Sequence, residues 1–177
     1  MNIAIVTGAS SGMGREFVLQ LSEYVKVDEI WVIARREERL LELQKDCRAK
    51  IRPIALDLAV SENYEIYKGL LEEHKPEIQV LINNAGISYM GLLTDMSPAD
   101  WDNVIHSNLT SMFYTCKNAI PIFLKQGIGR IINISSVWGQ FGASCEVAYS
   151  ATKGAIDSFT KALAKELAPS NIQVNAI

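Results

Sequence analysis

The strongest constraint on what this chain can fold into is a repeated order: a short apolar run, a turn, then a longer helical pattern. The first run, NIAIVT (2–7), is apolar at almost every position and leads at once into glycines. MGREFVLQLSEYV (13–25) then places Phe17, Val18, Leu21 and Val25 at helical spacing. EIWVIA (29–34) reads as a second strand, RREERLLELQKDCR (35–48) as a surface helix with Leu40 and Leu43 inward, and IRPIALDL (51–58) as a third strand. NYEIYKGLLEEH (63–74) is a helix, IQVLINNAG (78–86) a strand running into a turn, and Ser97-Pro98 the cap and first turn of another helix. A longer helix is predicted from about Leu109 to Lys125, a strand in GRIINISS (129–136), a helix from Ala148 to Leu167 stopped by Pro169, and a sixth strand in NIQVNAI (171–177). Strands that are apolar throughout are buried on both faces. The βαβα order therefore predicts an α/β fold: a doubly wound parallel sheet in three layers, strand order 3-2-1-4-5-6, with right-handed crossovers.

In such a sheet ligands lie beyond the carboxyl ends of the strands. The glycine turn, Asp57, the Asn83–Gly86 turn and Ser135–Ser136 all fall on that one edge. A length of 177 residues fits a single domain over 1–177, with no repeat or linker inside it. A net charge of −3 offers no attraction to nucleic acid or to an anionic membrane surface. The opening MNIAIVTGAS is neither signal peptide nor membrane anchor. Three scattered cysteines without metal spacing fit free thiols in a reducing cytoplasm. No metal site is expected, and His74 and His106 read as surface or structural residues.

TGASSGMG (7–14) sits between the first strand and the first helix. Its glycines, Gly8, Gly12 and Gly14, allow a tight turn and let backbone amides approach a pyrophosphate, which the helix N-terminus also favours. About twenty residues further on, NAD-binding sheets often carry an acidic residue for the ribose 2′-hydroxyl. Here the sequence reads Ala34-Arg35-Arg36 instead, and guanidinium groups favour a 2′-phosphate, so NADP is expected rather than NAD. Arg15 adds positive potential. The competing reading makes the two arginines the start of a solvated helix balanced by Glu37 and Glu38. Asp57 is placed either to accept from an adenine amino group or to cap the following turn.

EVAYSATKGAIDSF (146–159) puts Tyr149 and Lys153 four apart, on one helix face. With TGASSGMG, NNAG (83–86), SNLTS (107–111), ISSVWG (134–139) and YSATK (149–153) in this order, the chain resembles the short-chain dehydrogenase/reductase family over essentially its whole length. It looks most like the NADP-dependent 3-oxoacyl-carrier-protein reductases. The resemblance implies a Rossmann-type dinucleotide-binding domain and a catalytic group of Ser136, Tyr149 and Lys153 supported by Asn108. It implies cofactor contacts from Gly8, Ser10, Ser11, Gly12, Met13 and Gly14, from Asp57 and Leu58, and from Asn84, Ala85 and Gly86, joined by Arg35, Arg36, Tyr149 and Lys153.

The implied chemistry is hydride transfer between a nicotinamide and a carbonyl or secondary alcohol. A free tyrosine, with a pKa near 10, is a poor acid–base group at neutral pH. An ammonium about 4 Å away, at an effective dielectric near 20, favours the phenolate by about 4 kcal/mol. Tyr149 would then exchange the proton and Lys153 would tune it. Lys153 would also bond the nicotinamide ribose, Ser136 would donate to the carbonyl oxygen, and Asn108 would hold a water leading to solvent. Trp138, Phe141, Cys145 and Tyr89 are candidates either for pocket lining or for packing.

The family's pattern also continues past the sixth strand with a Pro-Gly turn, a covering loop and a seventh strand. The sequence is therefore expected to be a fragment or a short form. The alternative function is a non-catalytic dinucleotide-binding module or an inactive fragment of such an enzyme. Helices 109–125 and 148–167 are apolar over much of their circumference, with Met112, Phe113, Cys116, Ile120 and Phe123 on one and Ala151, Ala155, Phe159, Ala162 and Leu163 on the other. In the family this pair forms a subunit interface, so a homodimer or homotetramer is expected.

Overall fold

A computed structural model describes residues 1–177. Six parallel strands, β1 (Asn2–Thr7), β2 (Glu29–Ala34), β3 (Lys50–Ala55), β4 (Glu77–Asn83), β5 (Gly129–Asn133) and β6 (Ile172–Ala176), form one sheet in the order 3-2-1-4-5-6. Helices α1 (Gly12–Tyr24) and α2 (Glu37–Glu42) follow the first two strands, and α3 (Asn63–His74) follows the third. α4 (Pro98–Ile105) and α5 (Ser111–Gln126) link β4 to β5, and α6 (Trp138–Phe141) and α7 (Val147–Leu167) link β5 to β6.

The apolar runs are strands because both of their faces are covered. Along β1, Ile3 and Ile5 belong to one cluster with Trp31, Leu81 and the inner sides of α5 and α7, while Ala4 and Val6 belong to another with Val18, Val32 and Leu40. A strand sandwiched this way has no solvent face on which to place polar residues. No helix is long and apolar enough to cross a membrane.

Several boundaries differ from the sequence reading, each for a local reason. The helix expected over 35–48 lasts only from Glu37 to Glu42, followed by a 3-10 turn at Leu43–Lys45. Beyond that turn the backbone amides go to side chains: Ser22 Oγ accepts from the amides of Arg48 and Ala49, and Gln44 Oε1 accepts from Ile51 N at 2.8 Å. Leu40 and Leu43 do point inward. β3 ends at Ala55, so Asp57 lies beyond the strand rather than closing it. The helix expected to begin at Leu109 is continuous with α4 through a π-turn at His106–Thr110. Ser97 caps α4 as predicted, accepting from Asp100 N at 3.1 Å.

At the amino end of the sheet, opposite the glycine loop, Glu29 is buried at the start of β2. Lys50 pairs with it directly across the ladder and Arg52 lies two residues on. Their nitrogens sit 2.7 and 2.8 Å from the Glu29 carboxylate, which also accepts from Trp31 Nε1 at 3.1 Å. Burial works to raise the pKa of Glu29, but the bonds from Arg52, Lys50 and Trp31 outweigh it and bring the carboxyl down to about 2.

One buried polar atom lacks a partner. Tyr67, fully enclosed between α3 and the sheet, makes no hydrogen bond through its hydroxyl, and burial pushes its pKa upward. A hydroxyl desolvated without compensation weakens the fold, so Tyr67→Phe is expected to leave stability unchanged or to raise it by about 1 kcal/mol. Urea unfolding midpoints of the two proteins measure this, and a loss of stability in the variant would mean that the hydroxyl has a partner.

Candidate active site

The carboxyl ends of β1 and β4, where the strand order reverses, open into two adjoining cavities. The first, about 310 Å³, is lined by Gly8, Ser10, Ser11, Met13, Arg35, Arg36, Asp57, Leu58, Asn84, Ala85 and Gly86 among others. The second, about 420 Å³, is lined by Ser136, Trp138, Glu146, Tyr149 and Lys153, and shares Met13, Asn84, Gly86 and Ile87 with the first. The two form one crevice at the topological switch point, where ligands of doubly wound sheets bind.

The glycine loop is shaped by what it packs on. Gly8 has φ +67°, and a Cβ there would lie 2.8 Å from the Ala85 Cα, so only glycine lets the loop rest on the Asn83–Gly86 turn. Thr7 holds that turn in place: its hydroxyl accepts from the amides of both Asn84 and Ala85 at 3.0 Å. Asn84 Nδ2 adds bonds to the carbonyls of Thr7 and Gly8, at 3.1 and 3.2 Å. Gly12 and Gly14 form the loop and the start of α1 without lining either cavity.

Arg36 reaches back across the loop, its guanidinium 3.2 Å from Ser10 Oγ and 3.3 Å from Ser11 Oγ. Neither Arg35 nor Arg36 pairs with Glu37 or Glu38, so the balanced-helix reading does not describe this corner. Two unpaired guanidinium groups and two hydroxyls form a pocket corner whose chemistry suits an anion such as a ribose phosphate. Arg15 does not contribute as expected: it is paired with Asp46 at 2.6 Å, on the surface. Asp57 borders the cavity, and its Oδ1 accepts from Ala59 N at 3.0 Å, as the turn-capping reading requires.

Three of the four residues expected to be catalytic, Ser136, Tyr149 and Lys153, converge on the second cavity from α7 and from the loop after β5. Tyr149 and Lys153 share the α7 face, with no hydrogen bond between phenol and ammonium. Lys153 Nζ lies over the Tyr149 ring, 5.3 Å from its centroid, and donates to the Ile134 carbonyl at 2.7 Å. Lys153 is buried, and this desolvation brings its pKa down to about 8, with Asp157 pulling the other way. Ser136 Oγ accepts from Trp138 N at 3.2 Å, which starts α6. Gly139, absent from the sequence-based site, is what allows α6 to close on α7: a Cβ there would meet the Lys153 carbonyl carbon at 2.7 Å.

Asn108 is buried in the π-turn and lines neither cavity. Its Oδ1 accepts from Ile87 N at 2.7 Å, and its Nδ2 donates to the Ile87 carbonyl at 2.9 Å and to Thr152 Oγ1 at 3.1 Å. Thr152 in turn donates to the Tyr149 carbonyl at 2.7 Å. The side chain expected to hold a water is thus committed at both ends to protein. Of the suggested pocket residues, Trp138 lines the cavity, whereas Tyr89, Phe141 and Cys145 do not.

Below the site runs a buried polar crosspiece that the sequence reading missed. Thr115 on α5 donates to Asn83 Oδ1 at 2.6 Å, Asn83 donates to Asn133 Oδ1 at 2.9 Å, and Asn133 donates to Thr160 on α7 at 2.9 Å. Asn83 also lies 3.3 Å from Cys116 Sγ. The chain ties β4 and β5 to the helices on either side of the site.

A family model described as short chain dehydrogenase matches residues 2–177. An uncharacterized oxidoreductase of Staphylococcus epidermidis is 33% identical over 175 residues, which are 99% of this chain and 75% of that protein. A 3-oxoacyl-[acyl-carrier-protein] reductase of Staphylococcus aureus is 38% identical over 181 residues, covering 98% of this chain and 72% of its own. Among solved structures, a metagenomic short-chain oxidoreductase in complex with NADP superposes with a TM-score of 0.92 at 29% identity, covering 99% of this chain and 80% of that one.

Proposed function

The chain belongs to the short-chain dehydrogenase family, and from that premise we propose that it is an NADP-dependent oxidoreductase interconverting a carbonyl and a secondary alcohol, with Tyr149 as the proton donor. One observation carries the reading: Tyr149, Lys153 and Ser136 line a cavity that adjoins the glycine-loop cavity with its free arginines. Gly8, Ser10, Ser11, Met13, Arg35, Arg36, Asp57, Leu58 and the Asn84–Gly86 turn would hold the NADP cofactor, whose reduced form, NADPH, would supply the hydride.

The remaining chemistry falls to side chains. Tyr149 gives its hydroxyl proton to the carbonyl oxygen, and Ser136 donates a hydrogen bond to that oxygen as charge builds on it. The Lys153 ammonium, over the Tyr149 ring, stabilises the negative charge left on the phenol. Asn108 is a positioning residue: through Thr152 it fixes the Tyr149 carbonyl and hence the first turn of α7.

Consumption of NADPH and of NADH, followed with simple ketones and 3-oxoacyl thioesters, tests the proposal. Reduction with a preference for NADPH is expected, and absence of any reduction would leave a nucleotide-binding module, the alternative function. Loss of a charge-assisted bond to the 2′-phosphate costs about 1.5–3 kcal/mol. Arg36→Ala should therefore lower the NADPH-to-NADH ratio of kcat/KM by about tenfold or more, and an unchanged ratio would rule out that role for Arg36. Because the Lys153 charge is lost as pH rises through about 8, kcat/KM for reduction is expected to fall above that pH. A flat profile to pH 10 would mean that the ammonium is not used.

The outer sides of α5 and α7 fit a homodimer or homotetramer. Phe113 and Val147 are more than a third exposed, Ala151 is exposed as well, and Lys117 lies over the Phe113 ring. Light scattering of the purified protein tests this: a mass above that of one chain is expected, and a monomer would overturn it.

A further inference from the structure

The second cavity contains a charged group that the proposed chemistry does not use. Glu146 lines it beside Tyr149 and Lys153, and these last two and Glu146 are its only ionisable side chains. Lys153 is already committed to the Ile134 carbonyl. Glu146 precedes the first residue of α7, and its side chain makes no capping bond to the helix. It takes part in none of the seven ion pairs. Its backbone, by contrast, is fixed: the amide donates to the Ala143 carbonyl at 3.2 Å and the carbonyl accepts from Ser150 N at 2.9 Å. The result is a half-buried carboxylate without a partner, held on a rigid helix start three residues before Tyr149.

A carboxylate that lines the cavity without a protein partner is available to pair with a ligand that brings a positive charge to it. A ligand bringing a second carboxylate meets repulsion in the same cavity. Resting on the reductase reading of this cavity, we infer that Glu146 is a specificity-determining residue that selects carbonyl substrates bearing a cationic group and rejects those bearing a carboxylate.

The test uses three methyl ketones with the same three-carbon spacer, ending in trimethylammonium, tert-butyl or carboxylate. The first two have nearly the same shape and differ in charge. The wild-type protein with NADPH is expected to show a kcat/KM about tenfold higher for the ammonium ketone than for the tert-butyl ketone, and about tenfold lower for the carboxylate ketone. Glu146→Gln should bring the ammonium-to-tert-butyl ratio to within about twofold of unity, and Glu146→Lys should invert the order. Ratios within one protein are insensitive to a general loss of activity.

A ratio that Glu146→Gln leaves unchanged overturns the inference, and a wild-type ratio near unity does so even if neither variant folds well enough to compare rates. Binding of the same ketones, read by ligand-observed NMR, separates the two claims. Preference for the ammonium ketone without any reduction would overturn the reductase reading alone, whereas reduction without charge preference would overturn the role of Glu146 alone.

Discussion

Replacing Tyr149 with phenylalanine is expected to lower kcat for ketone reduction by about 10²–10⁴-fold, the range that positioned acid–base groups contribute. NADPH affinity should remain within a few-fold of wild type. The substitution deletes one oxygen and keeps the ring on which the Lys153 ammonium rests, at 5.3 Å from the centroid. The local packing of α7 therefore survives, and the effect reads the proton and nothing else. Single-turnover kinetics with cofactor fluorescence measure both quantities together. A variant that reduces ketones at the wild-type rate would remove Tyr149 from the chemistry. A variant that no longer binds NADPH would make it chiefly a cofactor contact.

The second large effect lies at the other end of the sheet and concerns stability. Glu29→Gln is expected to destabilise the protein by about 1.5–3 kcal/mol at pH 7, because it takes the charged acceptor from Arg52 while Lys50, whose side chain is 68% exposed, is left to solvent. Arg52, stacked 5.4 Å from the Trp31 ring and 3.1 Å from His74, is the less exposed of the two and loses more. The pH dependence has a definite sign. The carboxyl of Glu29 titrates at about 2 in the folded chain and near 4.5 when free, so its contribution is complete above about pH 5 and disappears as the pH falls through 2. Wild type and Glu29→Gln should therefore converge in stability on acidification, as chemical unfolding at pH 7, 4 and 2.5 would reveal. A constant difference across that range would mean that the carboxylate charge is not what holds this corner.

The parts of the molecule that were legible in the sequence are those determined by near neighbours. The strands followed from runs such as NIAIVT, since a segment with no polar face has to be covered twice. The glycine loop, the Asn83–Gly86 turn and the Tyr149–Lys153 spacing followed from residues within one or two turns of each other. What was not legible depends on partners distant in the chain. Lys153 was read only as the neighbour of Tyr149; that its nitrogen also binds the carbonyl of Ile134, 19 positions away, was not visible. Arg15 is neutralised by Asp46, 31 positions away, and the amides of Arg48 and Ala49, expected at the end of a helix, bond to Ser22 across a similar gap. Asn108 was assigned to a water because a sequence does not show that Ile87 and Thr152 occupy both ends of its amide. Thr7, Thr152 and Gly139 carried weak signals, each within or next to a motif. Thr7 precedes the glycine loop, Thr152 lies inside YSATK and Gly139 closes ISSVWG.

The crosspiece through Thr115, Asn83, Asn133 and Thr160 has a consequence for how this protein can change over generations. Its four side chains are buried, and each donates to or accepts from the next. Converting any one to an aliphatic residue strands a neighbour's amide or hydroxyl in a dry interior, a heavy penalty for a single step. Changing two adjacent members together removes both halves of the same bond and is far milder. Drift at these positions should therefore proceed in matched pairs, and the floor beneath the crevice would hold its shape while the residues around the rim vary freely.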